Sequence, residues 1–216
     1  MSTTMTRLIA LGLVACSAAA CRSANVSGGP GLIQPGAPGQ EGRTVSVADS
    51  TDLSKVQFTP ADVKFMQGMI GHHQQAIEMA ALLPSRTSRE DMKLLAKRIE
   101  VSQIDEIQMM QDWLRARGQT LPDPHAHHQH GATLMPGMLT QEEMARLEAA
   151  TGVEFDRLFL EGMIKHHGGA LTMVRELFGT PGAGQDGDIF AFASDVEADQ
   201  QMEIDRMGAL LRELQK

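Results

Sequence analysis

Apolar residues recur along this chain in steps of three and four. Phe65, Met69, His72, Ala76, Met79 and Leu83 trace one stripe, and Met66, Ile70, His73, Ile77 and Ala80 trace its neighbour. Phe159, Met163, His166, Ala170, Met173 and Leu177 repeat the first stripe, and Leu160, Ile164, His167, Leu171 and Val174 repeat the second. This spacing predicts two helices, each with a wide apolar arc close to a coiled-coil seam. Successive helical residues stand about 100° apart, so a His-His pair normally splits across faces. Here both histidines of each pair fall inside the arc, while Gln67, Gln74, Gln75 and Glu78 mark the wet side. The two segments, FMQGMIGHHQQAIEMA at 65–80 and FLEGMIKHHGGALTMV at 159–174, form an internal repeat that sets the architecture.

Start and stop signals bound five predicted helices. Thr59-Pro60-Ala61-Asp62 opens the first, which runs to about Leu83 and stops at Pro84. Ser88-Arg89-Glu90-Asp91 opens a second that ends near Gly118. Thr140-Gln141-Glu142-Glu143 has capping-box spacing and opens a short third helix. Thr151-Gly152-Val153-Glu154 repeats that spacing before a fourth helix, which ends near Gly179. The last runs from about Asp188 to Leu214. The repeat continues into the second and fifth helices, with an offset three residues longer. Ala96, Ile99, Gln103, Glu106, Met110 and Trp113 match Ala193, Val196, Gln200, Glu203, Met207 and Leu210. Folding the first hairpin about Arg86 predicts Gln103 near Met69 and Glu106 near Met66, with the histidines close by. Two such hairpins make an all-α four-helix bundle with a short helix in the crossover. The expected organisation is a leader at 1–15, a tether at 16–57 and a bundle at 58–216. The repeats of the bundle are 58–118 and 152–216, joined by a His-rich crossover at 119–151.

Composition narrows the chemistry. The 216 residues include 15 Met, one Trp and no Tyr, so the predicted core is filled by Met and Leu. A net charge of −8 without a basic stripe argues against nucleic acid. The cysteines, Cys16 and Cys21, both precede the predicted bundle, which excludes a disulfide or thiolate site within it. Arg7 followed by the apolar run Leu8–Ala15 reads as an export signal too short to span a bilayer. The tail LVAC resembles a bacterial lipobox, which predicts lipid on Cys16 and attachment to a membrane; the alternative is ordinary cleavage after Ala18-Ala19-Ala20 and a soluble secreted product. The Ser-, Gly-, Ala- and Pro-rich stretch that follows reads as a flexible tether.

Four imidazoles inside one core must each find a hydrogen-bond partner or a metal. Met69 stands three and four residues before His72 and His73, and Met163 is placed likewise before His166 and His167. Thioether and imidazole without thiolate suit copper, Cu(I) above all and Cu(II) second; zinc rarely takes Met, and Mg²⁺ or Ca²⁺ demand oxygen. Glu106 and Glu203 are either outer partners that orient an imidazole or ligands themselves. The loop with His125, His127, His128 and His130, followed by Met135 and Met138, reads either as a secondary metal collector or as an exposed polar loop.

The paired M-x-x-H-H-x-x-A-x-x-M segments are each followed by a Gln/Glu/Met helix, QIDEIQMM at 103–110 and QQMEIDRM at 200–207. Together they resemble the bacterial ferritin-like family catalogued as domain of unknown function 305, over residues 58–216. The resemblance implies a ferritin-like bundle in exported proteins, some of them periplasmic and copper-binding. It implies that Met69, His72, His73, Met79 and Met110 serve one half, and Met163, His166, His167, Met173 and Met207 the other. Three functions follow as expectations. The first is a lipid-anchored copper protein that sequesters the ion or exchanges it with a donor or acceptor protein, as a monomer or an oligomer. The second is a di-iron oxidase, although no Glu lies three residues before any His, as that chemistry requires. The third is a metal-free structural or interaction module.

Overall fold

The computed structural model describes residues 32–34, 42–46, 57–123 and 134–216. Cys16, Cys21 and the loop histidines His125, His127, His128 and His130 lie outside the described residues. The chain divides into two units at Asp52/Leu53. In the first, the segment expected as a tether carries two short strands, β1 (Leu32–Gln34) and β2 (Arg43–Val45). They pair antiparallel, with Ile33 opposite Thr44.

The second unit is all-α. Its helices are α1 (Pro60–Ala81), the one-turn α2 (Leu83–Arg86), α3 (Glu90–Ala116), α4 (Gln141–Ala149), α5 (Gly152–Gly179) and α6 (Gly187–Leu214). α1 and α3 form one hairpin, α5 and α6 the other, and α1 packs on α5. None of the described helices is long and apolar enough to cross a membrane.

Local chemistry accounts for the ends. Thr59 and Asp62 form a capping box, and Asp62 also accepts from the Gly184 backbone N–H at 2.7 Å, tying the start of α1 to the α5–α6 turn. Thr140 and Glu143 form the second box. Thr151 caps α5 in position but makes no side-chain hydrogen bond, unlike the expected box. Pro84 does not close the first helix. It sits in the first turn of α2, where its missing N–H costs no helix bond. In the hairpin Glu106 meets His73 on α1.

The stripes read from the sequence are the core, but the core is divided. One apolar cluster holds Phe65, Met69, Met110, Met173, Leu177 and Phe192 with their neighbours. The other holds Phe159, Met163, Met207, Met79, Leu83 and Leu95 with theirs. Residues that correspond in the repeat sit in opposite clusters, so the two hairpins are related by an approximate two-fold axis. The divide falls on each helix at the polar residues of its stripe. These are His72 and His73 on α1, Gln103 and Glu106 on α3, His166 and His167 on α5, and Gln200 and Glu203 on α6.

Candidate metal centre

The four helices place these eight polar residues in a layer between the two apolar halves. The four rings are sealed from solvent, none more than 1% exposed. The His72 and His166 rings meet near the axis with centroids 3.8 Å apart. His73 and His167 stand outboard, about 6 Å from their neighbours in sequence, with ring centroids separated by 6.3 and 6.1 Å.

Each ring spends one nitrogen. His73 Nε2–H donates to Glu106 Oε2 at 2.5 Å, and His167 Nε2–H donates to Glu203 Oε2 at 2.7 Å. The other carboxylate oxygens are also held, Glu106 Oε1 by the Ser102 hydroxyl at 2.9 Å and Glu203 Oε1 near Arg98 at 3.8 Å. His166 Nε2–H donates to the His72 backbone carbonyl at 2.9 Å, and His72 Nε2–H to the Pro136 carbonyl at 3.0 Å. A carbonyl can only accept, so these two bonds fix the proton on Nε2.

The second nitrogen is spare in all four rings. Nδ1 of His72, His73, His166 and His167 is buried with no hydrogen-bond partner, and so are Oε1 of Gln103 and of Gln200. With the proton on Nε2, Nδ1 of a neutral ring is a bare lone pair. All six atoms are then acceptors, and a buried acceptor without a partner costs about 1–3 kcal/mol. Six would rival the whole stability of an ordinary domain, about 5–15 kcal/mol. The layer therefore presents lone pairs, a donor set that suits an electrophile better than an anion. Two of the rings carry the carboxylate–histidine pairing that orients imidazole toward metals.

Electrostatics agree. Burial, reinforced by the neighbouring His73, pushes the His72 pKa down to about 3. Burial and the other three imidazoles hold His166 well below its ordinary value. Burial alone would raise the Glu106 carboxyl, but hydrogen bonds from His73 and Ser102 outweigh it and keep the group ionised. Neutral rings near ionised carboxylate are the protonation state a ligating imidazole needs.

Among the described residues, no three His, Cys, Asp or Glu side chains gather closely enough to hold an ion by themselves. Thioether sulfur or amide oxygen would have to complete a set, and sulfur flanks the layer on both sides. The pairing of sulfurs differs from the sequence expectation. Met79 shares its apolar cluster with Met163 and Met207, whereas Met173 shares one with Met69 and Met110. The histidine-flanking methionines have exchanged halves because α1 and α5 cross antiparallel.

Gln75 is a residue the sequence misplaced. Read as part of the wet face, it is 3% exposed. It clamps the Leu139 backbone from both sides, accepting from Leu139 N–H at 2.7 Å and donating to Leu139 C=O at 2.9 Å. The segment Met135–Leu139 is thereby strapped across α1 and α5. Pro136 followed by Gly137 at φ 76°, with Met138 N–H bonded to Met135 C=O, makes the turn. The strap lies so close to α5 that a Cβ on Gly169 would stand 1.9 Å from the Pro136 oxygen. Met138, expected in a loose collecting loop, is buried, and Met135 is packed against the core. A surface cleft of about 190 Å³ between α4 and α5, lined by Glu143, Arg157, Glu161 and Lys165 among others, includes none of the four histidines.

Comparison with known proteins fits this picture. The family model for Domain of unknown function (DUF305) matches residues 62–211. The chain belongs to the DUF305 family. A Streptomyces coelicolor protein of this family, described as secreted, is 31% identical with a TM-score of 0.62, over 71% of this chain and 93% of that one. A DUF305 fragment from Deinococcus radiodurans is 29% identical with a TM-score of 0.63, covering 72% and 98%. CopM in its Cu(II)-bound form is 26% identical with a TM-score of 0.59, covering 70% and 96%, and CopM has also been solved with Cu(I) and with Ag. No curated protein matches the chain.

Proposed function

We propose that this DUF305 protein is exported, is anchored by lipid on Cys16, and binds copper, sequestering it or exchanging it with a donor or acceptor protein. The observation that carries the reading is the set of four buried Nδ1 lone pairs, two of them backed by carboxylates, between methionine-lined halves of one bundle. The ligand set is drawn from Nδ1 of His72, His73, His166 and His167, with Met69, Met110 and Met173 on one side and Met163, Met207 and Met79 on the other. Glu106 and Glu203 act as outer partners, because each already accepts an imidazole N–H and Glu106 also accepts from Ser102. Soft sulfur beside imidazole favours Cu(I), with Cu(II) able to use the nitrogens. The likeness to CopM, solved with both copper states, supports the choice of ion. The run Leu8–Ala15 and the tail LVAC support export and lipidation. Carboxylates committed to imidazole leave none to bridge two irons, which disfavours an oxidase.

Competition of the protein with a chromophoric Cu(I) chelator tests this. Tight binding should be lost when His73 and His167 are both replaced by Gln. Iron-dependent oxygen consumption would point to the oxidase, and the absence of specific binding to a structural module. Intact mass of membrane-extracted protein should show a diacylglycerol adduct, lost in Cys16→Ser.

A further inference from the structure

α3 and α6 are equivalent in the repeat, but their solvent faces are not. On α3, Leu94 is 67% exposed, Met109 52%, Ile104 47% and Val101 46%. Large apolar residues gathered on one face and rimmed by charge mark a contact surface. Helical spacing sets Leu94, Arg98, Val101, Asp105 and Met109 in one outward stripe, in steps of four and three, with Ile104 on its flank. The stripe runs about 22 Å. At the offset that relates Ala96 to Ala193, the matching stripe on α6 reads Ala191, Asp195, Ala198, Met202 and Arg206.

The α3 stripe is complementary to itself when reversed. A two-fold axis beside Val101 would lay a second α3 antiparallel on the first. Leu94 then meets Met109 of the second copy, and Arg98 meets its Asp105. Val101 packs on its own copy, with Ile104 beside it. Every contact occurs twice, as an isologous interface requires. The Arg98 side chain is 54% exposed and stands 3.8 Å from Glu203 Oε1, so its five N–H groups have room for a second carboxylate. The α6 stripe fails the same operation, since reversal sets Ala191 against Arg206 and Asp195 against Met202. We propose that the outer face of α3 is a dimer interface whose occupant is a second copy of this chain. The face is short, so the dimer is of the reversible class and forms as the protein is concentrated. The contact uses none of the four histidines and no metal.

The test is sedimentation equilibrium of the full chain carrying Cys16→Ser, metal-free and under reducing conditions. It should show a monomer–dimer equilibrium. Arg98→Glu alone sets two carboxylates together at each end of the contact, and Asp105→Arg alone sets two guanidinium groups together. Each should weaken the dimer at least about tenfold. An equal mixture of the two variants restores both opposite-charge pairs and should recover the dimer as a heterodimer. Such recovery cannot come from variants that failed to fold. Val101→Lys should abolish association, while Ala198→Lys, its equivalent on α6, should leave it unchanged. The proposal is overturned by an unaltered chain that stays monomeric at its solubility limit, by a mixture that stays monomeric, or by equal losses from Val101→Lys and Ala198→Lys. Capture of a monomeric chain on phosphatidylglycerol vesicles, lost in Val101→Lys, would assign the face to a membrane and overturn it likewise.

Discussion

His166 donates its Nε2–H to the backbone carbonyl of His72 while the two rings meet at a centroid distance of 3.8 Å. The repeat thus contacts itself through its own signature, and each ring limits what the other can do. A proton on either Nδ1 would place a charge in a buried stack beside a second imidazole. That is why both rings stay neutral well below the ordinary histidine range.

The pH dependence of stability follows. In the unfolded chain these histidines protonate near pH 6.5, whereas folded His72 resists until about pH 3. Between those values the unfolded state binds more protons, so acid favours it. Stability should fall as pH drops below about 6.5, by roughly 1.4 kcal/mol per pH unit for each such ring. Glu106, held below its ordinary value, adds loss in the same direction at lower pH. Urea unfolding of metal-free protein at pH 7.5, 6.0 and 5.0 reads this directly. Stability that stayed flat or rose over that range would contradict buried neutral rings.

The outer carboxylates should separate orientation from ligation. Glu203→Gln keeps an acceptor for His167 but removes the charge, and Glu106→Gln does the same for His73. Copper affinity should fall about 10–100-fold, the usual cost of losing an outer partner. Glu203→Ala leaves His167 Nε2 buried and unpaired, which should also cost about 1–3 kcal/mol of stability. Chelator competition and denaturant unfolding on the same variants give both numbers. A Gln variant with unchanged affinity would remove the carboxylates from the site.

The strap makes a sharper demand on one glycine than on its neighbour. A Cβ on Gly169 meets the Pro136 oxygen at 1.9 Å, while one on Gly168 meets nothing within 4 Å. Gly168→Ala should stabilise α5 by about 0.5–1 kcal/mol through helix propensity. Gly169→Ala should destabilise by about 1–3 kcal/mol, the ordinary penalty of overpacking, and should break the His72–Pro136 bond. Thermal unfolding and the His72 side-chain ¹⁵N resonances test the pair. Equal effects at both positions would mean that the strap does not dock on α5.

Much of this was legible in the stripes. Phe65, Met69, His72, Ala76, Met79 and Leu83 are all buried, as three-and-four spacing requires. The exchange of Met79 and Met173 between halves was not legible, because a stripe gives a face and says nothing of which helix crosses it. Gln75 was hidden for a related reason. Its partners are backbone atoms 64 residues away, and a Gln at the edge of an apolar arc reads as solvent-facing until such a partner is seen. The pairing of His73 with Glu106 was not legible either, because the spacing along each helix does not give the register between two helices.

The remaining question is whether the core methionines bind or merely fill. Met110 and Met207 are repeat equivalents, fully buried, one in each apolar half. Leucine has nearly the same volume, so Met110→Leu and Met207→Leu should each cost less than about 1.5 kcal/mol of stability. If the sulfurs only pack, Cu(I) affinity should stay where it was. If they complete sites begun by the imidazoles, affinity should fall by more than about tenfold, the scale at which even outer partners of metal sites register. Cu(II) binding through nitrogen should change less, since thioether is a poor partner for the harder ion. Comparing both oxidation states in the same two variants separates ligation from packing, because a packing defect would weaken the two ions alike.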